Sequence, residues 1–233
     1  MQGTDWEALI EEWRQGGATD AKLGLAGLAR HAATLSDAML ARAQSAHYAQ
    51  GGGVSCRKGC AACCRQVIPL SPPDALALEE LRQGMAWEER SEADARLDRM
   101  RDGLALAGLA EASLFNHAGE VYRLGLACPF LIEEACSIHP HRPLACREHL
   151  AVSSAASCGD FPSPFIHTLE LPFSVGEALA RTAAYVLSQP VETIPLARLP
   201  EWLSAHGGLA EREWDSAFLV GLLASHCRSQ LTG

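Results

Sequence analysis

The sequence predicts a mostly α-helical fold: an irregular helical domain organised around a Cys-rich metal centre, with flanking N- and C-terminal helices. Three observations carry that expectation. Helix-start signals recur along the chain, whereas strand signals are nearly absent and "EVYRLGL" (Glu120 to Leu126) is the one candidate. Eight of the nine cysteines fall into two groups of four: Cys56, Cys60, Cys63 and Cys64, then Cys128, Cys136, Cys146 and Cys158. Strands do not alternate with helices, so neither a nucleotide-binding sheet nor a β/α barrel is supported.

The elements follow in order. Thr4-Asp5-Trp6-Glu7 reads as a capping box that opens a short amphipathic helix to about Arg14, ended by Gly16-Gly17. Thr19 then opens an Ala- and Leu-rich helix to about Gln50, with Leu23, Leu28, Leu35 and Leu40 on roughly helical spacing. Gly51-Gly52-Gly53 stops it and delivers the chain to the first cysteine group. In "LSPPDALALEELRQG", Ser71 is the expected cap, Pro72 takes the first helical position and Asp74 the first turn. "WEERSEADARLDRMRDGLALAGL" reads as a second helix, its charges at i,i+4 forming a solvated face.

Val121 to His149 has Cys, Pro and His at close intervals and no clean period. It reads as a loop with short turns and one helix near Leu144 to Leu150, stiffened by Pro140 and Pro143. "GDFPSPF" is a turn-rich connector. Ser174 then caps a helix to about Ser188, and two more follow near Glu201 to His206 and Ala210 to Gln230. The expected organisation is an N-terminal helical extension over 1–50, a cysteine-cluster metal-binding domain over 51–165, and C-terminal helices over 166–233 packed on it as one globular unit.

Composition excludes several function classes. The chain has 233 residues, enough for one domain with a real core, and a formal net charge of -9. Such a chain is not steered toward nucleic acid or an anionic membrane surface. No apolar run approaches the ~18 residues a membrane span needs. "MQGTDWEALIEEWRQ" has neither a basic n-region nor an apolar h-region, so the expected location is cytoplasmic. No phosphate-cradling glycine motif, nucleophile elbow or His-Glu-x-x-His helix is present. In a reducing cytosol clustered thiols bind metal or react rather than pair as disulfides.

The first group runs Cys56-x3-Cys60-x2-Cys63-Cys64, with Arg57, Lys58 and Arg65 interleaved. Those cations favour thiolates. On one helix Cys56 and Cys64 would lie about 12 Å apart along the axis, whereas two sulfurs on one zinc lie at most about 4.6 Å apart. Either Gly59 breaks the helix and wraps the segment around one metal, or the group splits. The adjacency of Cys63 and Cys64 favours splitting, hence two metal sites that each draw ligands from both groups. All-thiolate ligation suits an iron–sulfur cluster and zinc alike. Cys227 sits at the end of an apolar helix and reads as a core residue. Cys56-x3-Cys60-x2-Cys63 also matches the radical S-adenosylmethionine spacing, but those enzymes sit on a β/α barrel and Cys64 would be left over.

Beyond spacing, "SCRKGCAACC", Cys128-Pro-Phe-Leu131, Cys136-Ser-Ile138, Arg142-Pro-Leu-Ala-Cys146-Arg147 and Cys158 span about 103 residues. Together they resemble the bacterial YkgJ-type cysteine-cluster family, described as a zinc- or iron-chelating domain with eight characteristic cysteines. Where many members have Tyr, this chain has His139. The resemblance implies Cys56, Cys60, Cys63, Cys64, Cys128, Cys136, Cys146 and Cys158 as ligands and metal ions as partners. It selects neither the metal nor a reaction. Arg57, Arg142, Arg147 and His139 are the candidates for contacts around the ligands, with salt bridges from the two loop arginines to Glu133, Glu134 or Glu148 as the structural alternative. Two functions remain: a metal-binding protein with a structural or redox centre, or a metalloenzyme that modifies a protein or small molecule, methyl transfer included.

Overall fold

The computed structural model describes residues 4–17, 20–57, 59–110 and 112–232, without the side chains of Thr4 and Asp5. The expected cap at Thr4 rests on a side chain outside the described ones, and Thr19 lies outside the described residues. Along the chain run α1 (Thr4–Gln15), β1 (Lys22–Gly24), α2 (Leu25–Ala49), β2 (Pro69–Leu70), α3 (Pro72–Gln83), α4 (Trp87–Leu106) and α5 (Ala118–Arg123). Then come β3 (Leu131–Ile132), β4 (Ala135–Cys136), α6 (Leu144–Glu148), α7 (Ala155–Gly159) and α8 (Val175–Leu187). β5 (Ile194–Pro195), α9 (Leu199–His206), β6 (Glu213–Asp215) and α10 (Ser216–Ser229) complete the fold. The mostly α architecture read from the sequence is the one observed, and no helix of the described residues is long and apolar enough to cross a membrane.

Three differences from the local reading have tertiary causes. β1 pairs antiparallel with β6, with Leu23 opposite Trp214. That pairing removes residues 22–24 and 213–215 from the two long helices expected there. α2 therefore starts at Leu25, and α10 at Ser216 under an Asp215 cap that accepts from the Phe218 N–H at 2.8 Å. The strand candidate "EVYRLGL" is instead mostly helix: α5 buries only Val121, and the Val121 N–H donates to His117 O at 3.0 Å. With no strand beside it, the segment satisfies its backbone locally. Lastly, the loop before Cys146 contains a two-stranded hairpin, β3–β4.

Two apolar cores matter for the site. α1, α2, α8 and α10 close one around Ile10, Leu35, Met39, Leu179, Leu219 and Leu223. α3, α4, α9, both short strands β2 and β5, and the segment around Phe130 and Ile138 close the other. α3 begins as its sequence predicts: Ser71 Oγ accepts from the Asp74 N–H, and the Asp74 carboxyl accepts from the Ser71 N–H and hydroxyl. Asp74 also accepts from the Leu144 N–H at 3.2 Å, so the cap of α3 seats the start of α6. Burial pushes the Asp74 carboxyl up, with the Ser71 and Leu144 bonds opposing.

Candidate metal centre

Four short devices position the cysteines. A 3-10 turn, Ala62–Arg65, carries Cys63 and Cys64. The Cys128 N–H donates to Cys64 O at 2.7 Å, which docks the second cysteine group on the first. β3 and β4 pair with Leu131 opposite Cys136. Their two-residue turn, Glu133 and Glu134, has φ of 49° and 58°. α6 carries Cys146, and α7 carries Cys158 against the 62–65 turn, where Tyr122 Oη donates to Cys158 O at 3.1 Å.

The eight thiols divide into two sets. Cys128 is buried in the second core, and Cys64, Cys136 and Cys146 pack against that core. Cys56, Cys60, Cys63 and Cys158 belong to none of the apolar cores. The electrostatics follow this division in part, because Cys63 acts on the sulfurs of both sets. Burial pushes Cys146 up, with Cys128, Cys63 and Cys136 adding to it and Arg142 opposing. Burial likewise raises Cys158, and its sulfur neighbours are Cys56, Cys60 and Cys63. Cys63 stands where the sets meet. Cys64 donates its S–H to Cys63, which lowers the Cys63 thiol and raises that of Cys64.

Among the described residues no three His, Cys, Asp or Glu side chains converge closely enough to hold a metal ion. The donor chemistry nevertheless fits thiolate ligation. The Ala151 N–H donates to Cys56 Sγ at 3.2 Å. The Phe130 and Ile138 N–H groups stabilise the thiolates of Cys128 and Cys136, each from two residues further along the chain. Neutral sulfur is a weak acceptor, so backbone donors aimed at three sulfurs suit the charged form. Against them, burial pushes Cys128 up to about 12, a cost that a bound cation would offset.

The surrounding residues separate. The Arg142 Nε donates to His139 O at 3.1 Å, no carboxylate among the described residues pairs with it, and its charge opposes the rise of Cys56 and Cys146. Arg147 is buried and taken up elsewhere: it forks onto Asp37 at 2.7 and 2.9 Å and donates to Arg142 O and Pro140 O. Its acid partner is thus on α2, a residue that no local reading singles out. Glu148 accepts from Ser174 Oγ and from the Val175 and Gly176 N–H groups, anchoring the end of α6 to the start of α8. Arg65 pairs with Glu134 at 2.6 Å. Arg57 is exposed, its carbonyl accepting from the Cys60 N–H at 2.9 Å, and Lys58 lies outside the described residues. His139 is exposed, its imidazole lowered first by burial and then by Arg142 and Arg147. His149 keeps a buried Nε2 with no partner, while its carbonyl lies 4.0 Å from Cys56 Sγ.

Residues 55–163 match the model of the CxxCxxCC family, whose description is "Putative zinc- or iron-chelating domain". The first gap of this chain, Cys56-x3-Cys60, is one residue longer than the family's name spells, and Gly59 in that gap has φ +86°. No curated protein and no solved structure matches the chain.

Proposed function

We propose that residues 55–163, whose match to the CxxCxxCC family model supports metal binding, hold two thiolate-ligated centres, iron–sulfur or zinc, with a structural or redox role. The observation that carries this reading is the division of the eight thiols. Cys64 from the first group joins Cys128, Cys136 and Cys146 at the second core, and Cys158 from the second group joins Cys56, Cys60 and Cys63 outside it. Each set has the four sulfurs that a tetrahedral zinc or a cluster uses. Iron–sulfur occupancy supplies one-electron chemistry; zinc, redox-inert, supplies a closed structural cross-link. In either case Arg142 offsets thiolate charge, and the Ala151, Phe130 and Ile138 N–H groups orient the sulfurs.

Anaerobic purification followed by elemental analysis and a visible spectrum tests the proposal. Iron–sulfur occupancy gives a brown protein with matching acid-labile sulfide. Zinc occupancy gives a colourless protein with about two ions per chain, as a filled d-shell requires. A well-folded, metal-free protein from the cell overturns it.

One observation favours a second reading, a metalloenzyme acting on a protein or small molecule. A groove of about 820 Å³ opens between α2, α3 and the loop that joins Cys136 to Cys146; none of the eight cysteines lines it, and Arg142 on its wall links it to the thiols. A change in the centre's spectrum on adding S-adenosylmethionine or cyanide supports that reading, and an unchanged spectrum removes its basis.

A further inference from the structure

We infer that the two centres differ in kind: the set Cys64, Cys128, Cys136 and Cys146 holds its metal permanently, and the set Cys56, Cys60, Cys63 and Cys158 is an exchangeable site open to external ligands. The inference rests on the two-centre reading above and assigns each centre a separate task.

The inner set is held by core packing and by long-range clasps. Cys128 is 6% exposed and the other three sulfurs pack on the second core. The frame that carries them is cross-tied to distant elements. Asp74 of α3 holds the Leu144 N–H, Asp37 of α2 holds Arg147, and Glu148 is held at the start of α8. Between β3 and β4 the ladder fixes Cys136 opposite Leu131. Displacing any one of these ligands moves packed side chains, which resists a competing ligand.

The outer set has no such support. Exposure does not separate the sets, since Cys158 is 6% exposed like Cys128 and the other six are partly exposed; what separates them is that Cys56, Cys60, Cys63 and Cys158 rest on no apolar core. The run that carries Cys56 and Cys60 follows Gly51, Gly52 and Gly53. Around Gly51, Gly53 and Gly59 an added Cβ would meet no atom within 4 Å. The run is tied by the Ser55 N–H to Ala151 O at 2.8 Å, the Ala151 N–H to Cys56 Sγ at 3.2 Å, the Gly52 N–H to His47 O at 3.0 Å and a Cys56 Sγ contact with His149 O at 4.0 Å. Opening this side breaks a few hydrogen bonds and leaves the three apolar cores intact, and segments of that kind open at low free energy. A chelator, a metal donor or a substrate thiol thus displaces the outer ligands while the inner ones stay held by their packed frame.

The test uses the protein as isolated, its total metal first measured. Excess pyridylazoresorcinol is added and the coloured complex is followed in time, then freed thiols are trapped with iodoacetamide and mapped by mass spectrometry. The expected course is two phases of equal amplitude whose rate constants differ by about tenfold or more. Iodoacetamide added after the first phase should label Cys56, Cys60, Cys63 and Cys158 and leave the other four unlabelled. Cys60→Ser should abolish the fast phase and keep the slow one. Two centres that leave in a single phase, or first labelling of Cys64, Cys128, Cys136 and Cys146, would overturn this inference alone. Fewer than two centres per chain would overturn the two-centre reading and this inference with it.

Discussion

Cys146 and Cys227 carry the same side chain in opposite settings. Cys227 is fully buried among the apolar residues of α10 and its partners, and burial pushes its thiol up to about 12. Cys146 is raised by burial and by three other sulfurs, with a guanidinium opposing. A metal ion bound by Cys146 would reverse that penalty, whereas at Cys227 it would have no second thiol to join. Cys146→Ser should therefore lose about one centre's worth of metal. Cys227→Ser should keep the full metal content and lose about 1–3 kcal/mol of stability, because a hydroxyl in an apolar core lacks a partner. Elemental analysis beside urea unfolding separates the two, and equal metal loss from both would show that Cys227 is a ligand. Arg142 and Arg147 make a similar contrast. They are read alike from sequence, yet one faces thiols and the other is buried on Asp37.

At the scale of the element, the β3–β4 hairpin stores strain next to the thiols. A two-residue turn with both φ values positive is the type I′ arrangement, which normally takes Asn-Gly. Here Glu133 and Glu134 occupy it, and a left-handed conformation costs a non-glycine residue about 1–2 kcal/mol. Glu134 has a reason to be there: its carboxylate takes both Arg65 nitrogens, at 2.6 and 3.1 Å, and ties the hairpin tip to the turn holding Cys63 and Cys64. Arg65 holds the Glu134 carboxyl below its usual range. Glu133 is exposed and contributes no such bond. Glu133→Asn should raise stability by about 0.5–1 kcal/mol, since Asn tolerates the left-handed region. Thermal unfolding of the metal-loaded protein measures this, and a loss of stability would show that Glu133 serves something besides the turn.

For the whole molecule, the first core and the cysteine frame draw on different forces. α1, α2, α8 and α10 bury a continuous apolar interior in which the one thiol is Cys227. The cysteine frame relies on 3-10 turns, two-residue strands and side-chain clasps. Structural thiolate–metal sites contribute on the order of 10 kcal/mol or more, which is the scale of a whole domain's stability. Stripping the metal should therefore abolish amide protection over 121–158 while α2, α8 and α10 stay protected. Hydrogen exchange of the metal-free and metal-loaded protein checks this. Equal loss of protection across all segments would show that the frame and the four-helix core unfold as one unit.

Helix identity and the ligand candidates were legible in the chain because their causes are local. Ser71, Pro72 and Asp74 satisfy a helix start within four residues, and the cysteine spacing alone rules out one helical face around one metal. What lay beyond local reading has partners far along the chain. β1 exists because of β6, about 190 residues on, so no periodicity in "KLG" could announce it. "EVYRLGL" reads as a strand by composition and folds as helix because no strand lies beside it. Asp37, Ala151 and Glu148 enter the site through contacts with Arg147, Cys56 and α8, and none carries a motif. The sequence by itself marked eight thiols as the ligand candidates, since that chemistry is written in residue type and spacing. Only the tertiary structure decided which four lie against the core and which four outside it, because burial and electrostatic neighbours are properties of packed elements rather than of any single stretch of chain.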